Sequence, residues 1–262
     1  MLINAYATLR SLPALDFPHR LVNRRDRRDP ELDQHLQGFM GYVMGGGKRP
    51  MTAMRYHVLQ HLERVQHHLS LEVEPAHHAA FAAWAMEANA ILFTPEGHVR
   101  APDGLVLVAG GSGDPAAGAQ VPYPPDAARR RDATAAALRA RGIATPASLP
   151  PLPAEVEVAL RSPADVARRC LALFACAVRA ESIAGGQPIP RAELVARLPL
   201  AVAAMSPREQ AFVADEDPDQ QAVVDHAWRY EALAALWWAI GGTPQLAFPT
   251  RCATCPRWPR RC

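Results

Sequence analysis

The sequence predicts an α+β protein: a small amino-terminal domain of sheet and helices over residues 1–110, a linker at 111–125, and an all-helical carboxyl-terminal bundle at 126–250. A basic, cysteine-containing tail at 251–262 is expected to be disordered. Three observations predict this layout. Up to Val108, short runs of strand character alternate with runs of helical periodicity. The stretch AGGSGDPAAGAQVPYPP, 109–125, can build neither element. Beyond it helix starts recur. Ser162-Pro163-Ala164-Asp165, Ser206-Pro207-Arg208-Glu209 and Asp217-Pro218-Asp219-Gln220 each set a capping side chain, a proline and an acid or amide where a helix opens.

In chain order, Ile3 to Leu9 (INAYATL) has the β-branched and aromatic content of a first strand, and LVNRRDRRDP reads as a basic loop. After Pro30, Leu32, Leu36, Phe39, Met40 and Val43 recur at helical spacing up to Gly45-Gly46-Gly47. This triple glycine follows a helix, whereas a phosphate loop precedes the helix whose amino end receives the anion. Val58, Leu62 and Val65 mark a second helix, and HLSLEVE alternates as a strand. Pro75 opens the helix PAHHAAFAAWAMEAN, and AILF follows as a strand. Turns at Pro95-Glu96-Gly97 and Pro102-Asp103-Gly104 divide HVRAPDGLVLV into short strands. Strand, helix, strand within this length suggests a crossover, with the helices on one sheet face.

The second half opens with a basic helix, Asp126 to Arg141, then the proline-rich ATPASLPPLP, suited to the polyproline form. Ser162 starts a long helix carrying Val166, Leu171, Leu173, Phe174 and Val178, in which Cys170 and Cys176 are small core residues. Pro190 to Leu198 forms a short helix. Asp219 to Gly242 reads as one long helix, capped by Asp217 and stopped by Gly241-Gly242 and Pro244. Its section Ala232 to Ile240 has no polar side chain. That section is much shorter than the ~20 residues that cross a bilayer, so protein is expected to enclose it as the axle of the bundle. Arg229 and Glu231, just before it, then need opposite charges or backbone groups on neighbouring helices.

With 262 residues, 49% of them apolar, the chain can bury a substantial core. A net charge of +2 argues against a dedicated polyanion binder, so the clusters Arg24, Arg25, Arg27, Arg28 and Arg129, Arg130, Arg131 read as solvated faces, and nucleic acid is not an expected partner. Five cysteines and a start, LINAYATLRSLPAL, unlike a secretory signal point to a reducing cytoplasm.

His57 and His61 share a helix face at a spacing that suits a metal pair, with His67, His68, His77 and His78 nearby; no HExxH pattern is present, and partly exposed ordinary histidines are the favoured reading over a metal site. Cys252 and Cys255 make one CxxC, half of a zinc site, with Cys262 last. Neither GxSxG nor GxGxxG occurs, and the pair Glu155 and Glu157 and the run Asp215, Glu216, Asp217 sit where carboxylates serve helix entrances. A last constellation is Arg168, Arg169, Glu181, Arg229 and Glu231, read either as structural ion pairs or as a ligand or catalytic cleft between two long helices. The sequence assigns no catalytic residue, and no cofactor or membrane span is expected. The function that follows is a non-catalytic protein-interaction or regulatory role; the alternative is an enzyme or small-ligand binder with the Arg/Glu cluster in a pocket beside the Trp228 helix.

From Asp126 onward, RSPADVARRCLALFACAVRAE, MSPREQAFV and above all WRYEALAALWWAIG make the chain resemble the bacterial family known as domain of unknown function 4272. The first domain, through HLERVQHHLSLEV, WAMEANAILF and VRAPDGLVLV, is similar to the amino-terminal part that often accompanies it. The tail from Cys252 departs from that pattern. The resemblance implies a cytoplasmic bacterial protein without an assigned activity, and it supplies no catalytic residues.

Overall fold

The structure is a computed structural model and describes residues 1–246. The expectations for the tail 251–262, including the Cys252/Cys255 pair, lie outside the described residues. The chain forms two compact units, Met1–Ala159 and Leu160–Cys262.

The first unit is built on a six-stranded antiparallel sheet. In chain order its elements are β1 (Leu2–Ala7), β2 (Arg20–Asp26), α1 (Pro30–Val43), α2 (Ala53–Arg64), β3 (His67–Glu72), α3 (His78–Glu87), β4 (Ala90–Phe93), β5 (Val99–Arg100), β6 (Val106–Val108) and α4 (Pro125–Arg139). The strand order is β2-β3-β1-β4-β5-β6. β3 and β4 both run antiparallel to β1 and flank it, so they are parallel to each other with β1 inserted between. The expected crossover through α3 is therefore a split one.

The period-two alternation of the strands divides the core into two layers. Ile3, Ala5 and Ala7 of β1, Leu69 and Leu71 of β3 and Ala90 and Leu92 of β4 face Phe81, Trp84 and Ala85 of α3. Tyr6, Ile91, Val99 and Leu107 point the other way, onto Leu32, Leu36, Phe39 and Val43 of α1 and Val58 and Leu62 of α2. Helices thus cover both faces, not the one expected, because the central strands are apolar on both sides and each side needs a cover.

Two stretches differ from their sequence reading. The basic run after Arg20 is the strand β2, not a loop; it lies at the sheet edge, mostly exposed, with a bulge between Leu21 and Asn23 and an ion pair from Arg20 to Glu72. Charge and bulges are how edge strands avoid further pairing, and they erase the apolar alternation by which a strand is recognised. Residues 111–125, read as a linker, place Ala119 and Val121 in the α1/α2 core. The glycine loop before them is held by Arg49, which donates to the carbonyls of Gly110 (2.8 Å) and Gly111 (3.1 Å), and by Arg55, which donates to that of Gly113 (3.0 Å). Gly113 has φ +78°, and a Cβ there would stand 2.7 Å from Arg49 Nε and 2.7 Å from Arg55 Nη2. α4 and the extended segment behind it belong to this unit: Arg130 donates to the Pro153 carbonyl (2.7 Å), and Glu157 pairs with Arg64 (3.5 Å) and accepts from Ala154 N (2.7 Å).

The second unit is helical: α5 (Pro163–Ala184), α6 (Arg191–Arg197), α7 (Pro199–Ala203), α8 (Pro207–Ala214), α9 (Gln220–Ala227) and α10 (Arg229–Ala239). Its axle is α5, not the Trp228 segment. α5 buries Ala172, Ala175, Cys176 and Ala180 against Leu194, Met205, Phe212, Val213 and Val223, and Cys170, Leu173 and Ala177 against Tyr230 and Leu233. The Ser162 and Ser206 caps form as expected, the hydroxyls accepting from Asp165 N (3.1 Å) and Glu209 N (3.4 Å). The helix expected over 219–242 is instead two, α9 and α10, meeting at Trp228. Asp219 rather than Asp217 caps α9, accepting from Ala222 N (2.7 Å).

Nor is α10 enclosed all round. Only Tyr230 and Leu233 are fully buried on it, while Trp228 is 57% and Trp238 44% exposed. Alanine supplies most of the rest of its apolar run, and an alanine left in water exposes too little surface to force a cover. Among the described residues no helix is long and apolar enough to cross a membrane.

Candidate functional site

A groove of 370 Å³ opens in the first unit where α1 lies over β1 and β4. Asn4 and Tyr6 of β1 and Phe93 of β4 line it from the sheet, and Gln34, His35, Gly38, Phe39 and Tyr42 from the helix. The two periods explain the convergence. Asn4 and Tyr6 are two apart on one strand face, and His35, Phe39 and Tyr42 are spaced four and three apart on one helix face. The rings form a continuous apolar surface: Tyr6 stacks on Phe39 at 4.5 Å between centroids, and Phe93 meets Phe39 edge-on at 5.1 Å and Tyr42 at 5.3 Å.

Behind these rings a hydrogen-bond relay sets the groove's polarity. Arg25 Nη1 stands 3.4 Å from His68 Nδ1, and a guanidinium can only donate, so Nδ1 is the acceptor and Nε2 carries the proton. His68 Nε2 then donates to Asn4 Oδ1 (3.1 Å), and Ser70 Oγ donates to the same oxygen (2.6 Å). Both donors come from β3, which pairs Ser70 opposite Asn4; the other neighbour of Asn4 is Phe93 on β4. With its oxygen held toward β3, Asn4 turns its NH2 toward the groove. The Tyr6 hydroxyl shares a hydrogen bond of 3.0 Å with His35 Nε2.

These groups stay neutral near pH 7. Burial pushes the Tyr6 phenol up against a smaller opposing effect of Arg25. Burial and then Arg25 lower the His35 pKa, and burial, His35 and Arg25 together push His68 down to about 3. Gly38 is the other notable residue. A glycine inside a helix costs about 1 kcal/mol relative to alanine. A Cβ on Gly38 would meet nothing within 4 Å, so no packing within the described chain requires glycine there.

The histidines singled out by spacing do other work. His57 Nε2 lies 2.7 Å from the Ser148 carbonyl and Nδ1 2.8 Å from the Tyr123 hydroxyl, so both nitrogens are engaged. His61 is fully buried, its Nε2 2.9 Å from the Tyr6 carbonyl, and burial pushes it down to about 3. Among the described residues no three His, Cys, Asp or Glu are grouped so as to hold a metal.

The Arg/Glu constellation resolves into separate contacts. Arg169 makes a two-pronged pair with Glu209, 2.6 Å on each side, a carboxylate the sequence reading did not include. Burial alone would raise the Glu209 pKa, but Arg169 and the Ser206 backbone and hydroxyl outweigh it and bring the carboxyl down to about 2. Arg168 pairs with Asp165 at the surface, and Glu181 accepts from the Tyr230 hydroxyl (2.6 Å). Arg229 and Glu231 open the first turn of α10, both half-buried. Of the groove's side chains the sequence marks Phe39 only as a periodic core position and gives none a binding role, although a tyrosine and an asparagine on one face of an apolar strand, and a glycine inside a helix, are visible signals.

No curated protein and no solved structure matches the chain. A family model described as a domain of unknown function (DUF4272) matches residues 130–261 and so takes in all the helices of the second unit, while the groove lies before it. Matched over half its length, the chain belongs to the DUF4272 family.

Proposed function

We propose that this chain is a non-catalytic binding protein of a regulatory kind, whose first unit holds a small molecule in the α1/β1/β4 groove. The observation that supports the reading is the protonation of the groove's polar groups. A general acid or base works best with a pKa near the working pH. Here Tyr6 is pushed up and His35 and His68 are pushed down, which makes them fixed, neutral hydrogen-bonding groups suited to recognition. A pocket of this volume with aromatic walls and few polar groups is of the size that takes small ligands. The reading needs no cofactor, and a reducing cytoplasm suits the free thiols of Cys170 and Cys176. A cleft formed by Arg168, Arg169, Glu181, Arg229 and Glu231 has less support, because the first three already have partners within the second unit.

The test is a screen of small aromatic and aliphatic compounds against the full chain by thermal shift, with each compound assayed again after overnight incubation. Compounds that raise Tm and are recovered unchanged support the reading. A compound that binds the groove and is converted at catalytic turnover overturns it.

A second reading, a surface for a protein partner, is favoured by Trp228 and Trp238, two large aromatic side chains left substantially exposed on the second unit. Under it, Trp228→Ala with Trp238→Ala abolishes partner capture and leaves ligand shifts in the groove untouched.

A further inference from the structure

The groove's chemistry narrows its ligand. Asn4 Oδ1 is occupied, taking two hydrogen bonds, from Ser70 and His68. What remains on this side chain is its donor, the Asn4 NH2, in the groove wall. The ligand group that matches Asn4 is therefore an acceptor. The local field selects its charge. Arg25, only 19% exposed at its side chain, stands behind His68, and its one carboxylate partner, Glu31, is 3.4 Å away and 72% exposed. That partner is largely screened by water, so the less exposed guanidinium leaves a net positive potential beside the Asn4 donor.

The remaining walls select shape. Phe39, Phe93 and Tyr42 present ring edges and faces at angles that accept another flat ring, and Gly38 leaves the helix backbone bare beside them.

We propose that the α1/β1/β4 groove binds a small aromatic carboxylate, with its ring against Phe39, Phe93 and Tyr42 and its carboxylate on Asn4 Nδ2. The proposal rests on the reading of the groove as a binding site and adds to it the class of molecule bound. The ring is held by apolar contact and the carboxylate by charge-assisted hydrogen bonding to an amide whose oxygen Ser70 and His68 already hold.

The probes are benzoate, benzyl alcohol and acetate, titrated into the full chain while the Asn4 side-chain amide and the Gly38 backbone N–H are followed by ¹H–¹⁵N NMR. Benzoate is expected to shift both signals saturably, benzyl alcohol to bind about tenfold more weakly for want of the charge-assisted bonds, and acetate to shift neither. Asn4→Asp keeps an oxygen for Ser70 and His68 but turns the donor into an anion, so it is expected to lose benzoate binding and retain that of benzyl alcohol. Gly38→Leu, placed where nothing lies within 4 Å, fills the groove and is expected to weaken both aromatics about tenfold. Equal binding of benzyl alcohol and benzoate at Asn4 overturns the carboxylate assignment and leaves the groove as a site. No shift at Asn4 or Gly38 with either aromatic, or unchanged binding in Gly38→Leu, overturns both.

Discussion

Replacing Glu209 by glutamine tests the electrostatic argument for the helical unit. Glu209 is 2% exposed at its side chain, meets Arg169 through two hydrogen bonds of 2.6 Å, and closes the capping box of α8 with Ser206. Glutamine keeps the shape and can still accept from the Ser206 amide, so the change removes the charge and little else. The carboxyl is brought from an ordinary 4.5 down to about 2, worth about 3 kcal/mol when fully expressed. Arg169 is 36% exposed, and solvent screening reduces the expected loss to about 2 kcal/mol. The sign follows from a folded-state pKa below the unfolded one. The stabilisation is complete above the unfolded value, declines as the pH falls through 4.5, and vanishes below the folded value near 2. Urea unfolding from pH 7 to pH 3, followed by far-UV circular dichroism and tryptophan fluorescence, is the assay. Parent and Glu209→Gln should differ by about 2 kcal/mol at pH 7, with more than half of that gone by about pH 3. A difference below about 0.5 kcal/mol at pH 7, or one that does not change with pH, refutes the reasoning.

Three further outcomes follow from named contacts. Gly38→Ala should stabilise the first unit by about 1 kcal/mol in chemical unfolding, because the helix gains propensity and the added methyl meets nothing. Gly113→Ala should destabilise the same unit by about 2 kcal/mol, since alanine is strained at φ +78° and its Cβ collides with both guanidinium groups that hold the loop; amide exchange should quicken first in residues 109–116. Burial pushes Cys176 up to about 12 and raises Cys170 as well, so neither thiol should be alkylated by iodoacetamide at pH 8 in the native chain, as read by peptide mass spectrometry, and both should react in urea.

What the sequence determined by itself is what local physics decides. Ser162 and Ser206 start their helices, Leu32, Leu36, Phe39 and Val43 put α1 on the core, and AILF is a strand, because capping, periodicity and β-propensity act within a few residues. The chemistry of the caps also marked Glu157 and Asp215 as structural acids, although the residue that caps α9 is Asp219 and not the expected Asp217. The DUF4272 match was legible for the same reason, resting on contiguous segments of the second unit.

Only the tertiary structure decided the rest, wherever the outcome depends on what lies opposite. β2 is a strand because β3 offers an edge to its arginines, not because of any alternation of its own. The alanine-rich α10 stays one-sided because α5 supplies the enclosed axle, and composition sets how much surface can be buried without setting where a partner stands. The groove is the clearest case. Asn4, His35 and Phe93 come from three elements far apart in the chain, and the direction of the Asn4 amide is set by Ser70 and His68 on the neighbouring strand β3, through pairing registers that no local rule contains.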